Sequence, residues 1–177
     1  MTAATPQIEL LFSAAEIGNR LQQMASELAP TINNNTVIIT ILNSSFMFAA
    51  DLMRALYNEG CHFETDFLCL SGYGDDQQVG TIKLIQDIKI PLHGRSVLLL
   101  DDILDSGNTL AYALQHLRPQ NPSHIQAAFL LDKGRGIRPA VPTTTGFSCP
   151  DQFVVGYGMD SAQKYRELPY IGTVNQM

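Results

Sequence analysis

The segment Val97-Leu98-Leu99-Leu100-Asp101-Asp102-Ile103-Leu104-Asp105-Ser106-Gly107-Asn108-Thr109-Leu110 constrains this chain more than any other. Four aliphatic residues in a row suit a strand buried on both faces, and such strands belong to parallel sheets covered by helices. The run then breaks into acids, a glycine and small polar residues, and Thr109 to Leu117 resumes at helical spacing. A strand, a polar turn and a helix in that order form half of a βαβ unit. The reading of the segment is a strand over Val97–Leu100, with Asp101 and Asp102 where it leaves the core.

The same alternation recurs along the chain. Ser13-Ala14-Ala15-Glu16 has the form of a capping box, followed by Ile17, Leu21, Met24 and Leu28 at helical spacing and by Pro30 as a stop. Val37 to Leu42 is a β-branched run interrupted by Asn43-Ser44-Ser45, after which Phe46 to Asn58 reads as a helix closed by Gly60. Further strands are expected within Cys61 to Leu70, at Thr81 to Gln86, at Ile125 to Leu131 and at Phe153-Val154-Val155. The polar, glycine-bearing stretch from Ser71 to Gly80 carries no apolar period and reads as a lid on a two-stranded arm, with Ser71 and Tyr73 among its residues. The expectation is an α/β fold: a twisted, mostly parallel sheet flanked by helices, in one domain spanning 1–177.

Ligands of such sheets bind beyond the carboxyl ends of the strands, at a topological switch point. There the turn Asp105-Ser106-Gly107-Asn108-Thr109 would present backbone amides at a helix start, with hydroxyls from Ser106 and Thr109, which suits a phosphate. Adjacent carboxylates suit sugar hydroxyls or a hard cation such as Mg²⁺. A sugar phosphate needs both, so the segment reads as a ribose-phosphate cradle. The competing reading makes the acids a solvated strand end and Asp105 the N-cap of the helix.

The net charge of −6 argues against a polyanionic partner, so no nucleic acid is expected. Cys61, Cys69 and Cys149 are odd in number and form no C-x-x-C pair, which fits thiols in a reducing compartment. No uncharged apolar run reaches the length of a membrane span, and Met1 to Leu10 lacks the basic and apolar regions of a signal peptide. The expected location is the cytoplasm, with no membrane partner.

The segment from Val97 to Leu110 closely resembles the phosphoribosyl-pyrophosphate motif of type I phosphoribosyltransferases. Phe46 to Leu52, Ser71 to Gly74, Leu130-Leu131-Asp132-Lys133, and Pro150 to Asp160 continuing through Lys164-Tyr165-Arg166 point to the hypoxanthine-guanine branch. The resemblance runs in order from about Val37 to Gly172. It implies transfer of a phosphoribosyl group from phosphoribosyl pyrophosphate to a 6-oxopurine, with Mg²⁺, in a homodimer or homotetramer. It also implies a small hood built from the N-terminal segment and the C-terminal region.

Residue by residue, the resemblance places Asp101 and Asp102 at the ribose hydroxyls, partly through Mg²⁺. Asp105 would face the purine N7 as proton acceptor or donor, and Asp105, Ser106, Gly107, Asn108 and Thr109 would wrap the 5′-phosphate. Lys133 would donate to the 6-oxo group, Phe153 would stack on the purine and the Val154 backbone would meet its edge. Asn43, Ser44 and Arg166 would lie at the pyrophosphate, and Asp160 would hold a second Mg²⁺. Taken singly, Lys133 reads as a basic residue in a solvated turn, Phe153 as core, and Asp160 and Arg166 as flanking a short helix; the ordered set gives them their other meaning.

The chain departs from the family at Leu42-Asn43-Ser44, where Leu-Lys-Gly is usual, at Asp101, where Glu is common, at Ser71-Gly72-Tyr73, where Ser-Ser-Tyr is usual, and at Gly134-Arg135-Gly136, where a Pro- and Arg-containing turn follows the purine lysine. Two rival readings are an RNA-binding regulator built on the same fold and a phosphatase using the acidic pair. Neither accounts for the segment from Phe153 to Asp160.

Overall fold

The computed structural model describes residues 7–73, 81–136 and 140–174. The chain opens with strand β1 (Ile8–Phe12) and helix α1 (Ala14–Leu28). Ser13 and Glu16 close the expected capping box, with Glu16 accepting from the Ser13 amide at 2.8 Å and the Glu16 amide donating back to Ser13 Oγ at 3.3 Å. Then come β2 (Thr36–Leu42), α2 (Phe46–Asn58), β3 (Glu64–Tyr73), β4 (Thr81–Gln86), β5 (Ser96–Leu104) and α3 (Asn108–Leu117). The remainder supplies β6 (His124–Asp132), β7 (Thr143–Ser148), β8 (Val154–Val155) and β9 (Ile171–Val174).

Six strands form the main sheet in the order β4-β3-β2-β5-β6-β7. All neighbours in it are parallel except β3 and β4, which run antiparallel. The period of two along each strand sends side chains to two separate cores. Ile38, Leu98, Leu100, Ala128 and Leu130 pack with Ile17, Leu21 and Met24 of α1 and Phe48 and Leu52 of α2. Val37, Ile39, Leu99, Ala127 and Phe129 pack with Leu110, Ala113, Leu114 and Leu117 of α3. This two-sided burial is why the central strands read as unbroken aliphatic runs.

A second, antiparallel sheet in the order β1-β9-β8 joins the two ends of the chain. Phe12, at the end of β1, stacks on Phe147 of β7 with ring centroids 4.2 Å apart. Strands β1, β7 and β9 were not expected from the sequence. Strand β7 is threonine-rich with an interior glycine and takes its conformation from pairing with β6; β1 and β9 are each other's partners from opposite ends of the chain.

Three boundaries differ from expectation. Strand β5 continues four residues past Leu100 because β6 goes on pairing with it, with Asp101 opposite Phe129 and Leu104 opposite Asp132. Asp101 and Asp102 therefore lie within the strand, both buried. Strand β3 runs to Tyr73, so Ser71 and Tyr73 belong to a strand paired with β4 and not to a loop. Residues 74–80 of the expected lid lie outside the described residues. No helix spans Asp160 to Arg166, because Ala162, Gln163 and Tyr165 take φ values of 49°, 65° and 77°.

Asp66 of β3 ties the segment after β4 to the sheet. Its buried carboxylate accepts from the backbone amides of Phe67, Lys89 and Ile90 at 2.5–2.8 Å. Burial raises its pKa, but these three donors outweigh burial and hold it below the ordinary aspartate value. The contribution is complete at neutral pH and fades as the pH falls through the depressed folded value. Asp66→Asn offers one acceptor oxygen and turns an amide toward N–H donors, so a loss of about 1–3 kcal/mol is expected. Thermal melts should show that loss at neutral pH and a narrowing gap to wild type in acid.

Candidate active site

The strand order reverses between β2 and β5: the chain leaves β2 outward for β3 and crosses back to β5, β6 and β7. Pairing of β2 with β5 ends at Thr40 and Leu100, and beyond that point the strands part. A cavity of about 220 Å³ opens there. Ile41, Leu42, Asn43 and Ser44 line it from the β2 side, and Asp101, Asp102, Ile103 and Thr109 from the β5 and α3 side. Leu70 and Ile82 of the arm also line it.

The acidic pair is electrostatically loaded. The Asp102 amide donates to the Asp101 carboxylate at 3.0 Å. Burial first, and then the charge of Asp102, push the Asp101 carboxyl well above the aspartate range. A positive charge entering the cavity would relieve both effects, which is the arrangement a hard cation needs. Among the described residues no group of three or more His, Cys, Asp or Glu converges to hold a metal alone. The donors therefore fit an ion that completes its shell with substrate oxygens and water.

Across the cavity, Leu42 and Asn43 are joined by a cis peptide bond. The Ser45 hydroxyl donates to the Ile41 carbonyl, and the Phe46 amide donates to the Asn43 carbonyl at 3.2 Å, which fixes the turn into α2. Gly158 packs so closely on this turn that a Cβ there would come within 2.1 Å of the Ser44 carbonyl oxygen.

The turn after β5 is held from the next loop. Gly107 takes φ 81° and is the N-cap of α3, with no side-chain cap bond. The Asn108 amide donates to Ser106 Oγ at 3.3 Å. Asp105 is therefore not the helix cap; its carboxylate turns instead to the loop after β6. Arg135 donates from Nε and Nη2 to the two Asp105 oxygens, the second at 2.9 Å, and Lys133 Nζ lies 3.5 Å from Asp105 Oδ2. The Arg135 bonds, aided by Lys133 and opposed by partial burial, hold the Asp105 carboxyl below its usual value. The Lys133 side chain is only 10% exposed, and its backbone amide donates to Leu104 at 3.0 Å. It is not the solvated surface lysine that its local sequence suggested.

Phe153 is 46% exposed, and so not the core residue that its neighbours Val154 and Val155 suggest. Its carbonyl accepts from Val174, while Val154 is buried. Farther along, Arg166 donates to the Gly158 carbonyl at 2.7 Å and pairs with Asp160 at 2.7 Å. The Gln163 amide also donates to Asp160 at 2.8 Å. Asp160 and Arg166 thus form a unit of their own, set against the site through Gly158 and Ser44. Tyr157 extends that connection by donating to Asp51 of α2 at 2.6 Å.

The fold thus gathers Asn43, Ser44, Asp101, Asp102 and Thr109 around one cavity, and pairs Asp105, in the turn that follows β5, with Lys133 and Arg135. Arg135, Asp151, Tyr157 and Asp51 were not picked out as partners in the sequence. Only Arg135 carried a signal, as a cation between two glycines immediately after Lys133.

The chain matches the phosphoribosyl transferase domain family over residues 11–162. It is 34% identical to the hypoxanthine-guanine phosphoribosyltransferase of Dictyostelium discoideum, covering 95% of this chain and 96% of that one. It is 37% identical to the hypoxanthine phosphoribosyltransferase of Escherichia coli strain K12, covering 94% and 95%. Its fold superposes on a solved hypoxanthine-guanine phosphoribosyltransferase of Bacillus anthracis with a TM-score of 0.86 at 33% identity, covering 97% of this chain and all of that one. With most of its length matched in sequence and in fold, the chain belongs to the phosphoribosyl transferase domain family.

Proposed function

We propose that the chain is a purine-salvage enzyme that transfers the 5-phosphoribosyl group from phosphoribosyl pyrophosphate to hypoxanthine or guanine. The purine N9 bonds to the ribose C1′ as the bond from C1′ to pyrophosphate breaks, giving IMP or GMP and pyrophosphate. The observation that carries this reading is the parting of β2 and β5. It sets two buried carboxylates across a cavity from the Asn43–Ser44 turn, with the Asp105–Thr109 turn following directly from the end of β5. The matched relatives are named as enzymes of this reaction, which disfavours the RNA-binding regulator.

In this reading Asp101 and Asp102 take the ribose hydroxyls. The turn of Asp105, Ser106, Gly107, Asn108 and Thr109 takes the 5′-phosphate at the start of α3, where helical amides lack intrahelical acceptors. Departure of pyrophosphate leaves positive character on the ribose, which nearby carboxylates stabilise. When bound beside Asp101 and Asp102, Mg²⁺ supplies positive charge against the leaving pyrophosphate. Asn43, Ser44 and Arg166 face the pyrophosphate side, and Asp160 is the second acidic group toward a metal. Asp105 accepts or returns the purine N7 proton, Lys133 donates to the 6-oxo group, and Phe153 covers the ring beside the Val154 backbone.

The proposal extends to a homodimer or homotetramer working in the cytoplasm. Among the described residues no helix is long and apolar enough to cross a membrane.

Lys133 gives the sharpest test of the purine assignment. Its ammonium has only donors, and adenine presents an amino donor where a 6-oxopurine presents an acceptor. A site built around such a bond rejects a mismatched analogue by roughly 10⁴-fold or more. Nucleotide formation from hypoxanthine, guanine, xanthine and adenine should therefore show adenine as a very poor substrate. Equal use of adenine and hypoxanthine would remove Lys133 from the purine site.

A further inference from the structure

In the sequence Arg135 stands out only within Gly134-Arg135-Gly136, which departs from the family's turn after the purine lysine and carries no assigned role, yet its guanidinium is committed to two carboxylates, those of Asp105 and Asp151. Nε and Nη2 donate to both oxygens of Asp105, and Nη1 donates to Asp151. The backbone sets this geometry as well as the side chain. Gly134 and Gly136 flank Arg135 with φ values of 69° and 79°. A Cβ on Gly136 would come within 2.4 Å of the Ser106 carbonyl oxygen and 2.5 Å of that of Asp105. The loop after β6 therefore lies directly on the turn after β5, and Arg135 meets Asp105 at a fixed height.

We propose that Arg135 is a positioning residue for proton transfer at Asp105: braced by Asp151, its fork keeps the Asp105 carboxylate anionic and in one orientation beside Lys133. The proposal rests on the phosphoribosyl-transfer reading and adds a residue that this reading does not require. A guanidinium grips a carboxylate through two parallel bonds, which fixes the carboxylate plane, whereas an ammonium acts as a point charge. Lys133, at 3.5 Å from one oxygen, supplies charge without that orientation. An ionised carboxylate has about four acceptor positions, so the fork leaves room for a purine N–H.

The groups around Asp105 agree with this division of labour. Lys133 reaches it from the end of β6, and Arg135 from the following loop carries Asp151 behind it. Asp132 accepts from the Gly134 amide at 2.8 Å. The thiol of Cys149, raised by burial, stays protonated at neutral pH. Among the described residues two cations therefore face Asp105 directly, and of these only Arg135 forks.

The test compares wild type with Arg135→Ala, Arg135→Lys and Asp151→Asn. The readouts are the pH profile of kcat/KM and a ¹³C NMR titration of the Asp105 carboxyl. Removing an adjacent cation raises a carboxyl pKa. Arg135→Ala should therefore move both the titration and the acid limb to higher pH, with roughly a tenfold deeper loss of kcat/KM at acid pH relative to the variant's own plateau. Arg135→Lys should bring the acid limb back toward wild type while kcat stays low, because charge returns without the fork. Asp151→Asn should change both readouts in the direction of Arg135→Ala but less.

An Asp105 titration and acid limb identical in wild type and Arg135→Ala, in folded proteins, would overturn the proposal while leaving phosphoribosyl transfer intact. A wild-type protein that forms no nucleotide would instead overturn the underlying reading. The positioning role would fall with it, even if the NMR titration still moved.

Discussion

Asp105→Asn is expected to lower turnover by roughly 10²–10⁴-fold, the usual worth of general acid–base help, with little change in melting temperature. A primary amide cannot take up the purine proton at neutral pH. The structure removes the competing explanation, since Gly107 and not Asp105 stands at the N-cap of α3. What the substitution does break is a set of partly exposed ion pairs with Arg135 and Lys133, and such pairs add little to stability. Arg135 keeps Asp151 as a partner. Binding of phosphoribosyl pyrophosphate should persist, because the turn amides and hydroxyls remain. Turnover equal to wild type, measured where chemistry limits the rate, would take the proton-transfer role away from Asp105.

The second large effect concerns metal. A chelator should abolish nucleotide formation and added Mg²⁺ should restore it, while the melting temperature of the ligand-free protein stays unchanged. The asymmetry follows from the cavity. Asp101 and Asp102 offer hard oxygen donors but, among the described residues, no third His, Cys, Asp or Glu converges with them. The fold is therefore expected to stand without an ion, whereas charge balance at Asp101 is expected to need one. An ion held together with substrate oxygens leaves no metal to strip from the free enzyme. A melting temperature that drops on chelation would mean a resident structural metal and would contradict this account.

Much of the fold was legible because two-sided burial writes itself into composition. Val37 to Leu42 and Val97 to Leu100 are aliphatic because each face of the sheet meets a different core. The capping box announced α1 through backbone chemistry confined to four residues. Strand β5 was underestimated at its end because Asp is disfavoured in strands. Two consecutive aspartates therefore read as an exit, when pairing with β6 carries the strand through them to Leu104. Strand β7 and the sheet joining β1 to β9 depend on partners distant in the chain, which no local pattern encodes.

The site divides in the same way. The strand–turn–helix unit that carries the acids was visible because they and the turn lie within nine residues of one another. The fork from Arg135 to Asp105 spans 30 positions and depends on the register of β5 against β6. The contact of Gly158 with Ser44 spans a still longer separation. Asp160 and Arg166, six positions apart, suggested a helix, but left-handed backbone at Ala162, Gln163 and Tyr165 folds them into a tight turn where they pair with each other. Local chemistry was readable, whereas the braces that hold it depend on tertiary register.

The most direct measurement of the central claim is the stoichiometry of products from purified protein given hypoxanthine, phosphoribosyl pyrophosphate and Mg²⁺. Chromatography of the mixture should show IMP and pyrophosphate appearing one for one, with hypoxanthine consumed in the same amount. Phosphoribosyl pyrophosphate left intact beside unreacted hypoxanthine, or broken down to pyrophosphate without IMP, would contradict the assignment of this site to phosphoribosyl transfer onto a purine.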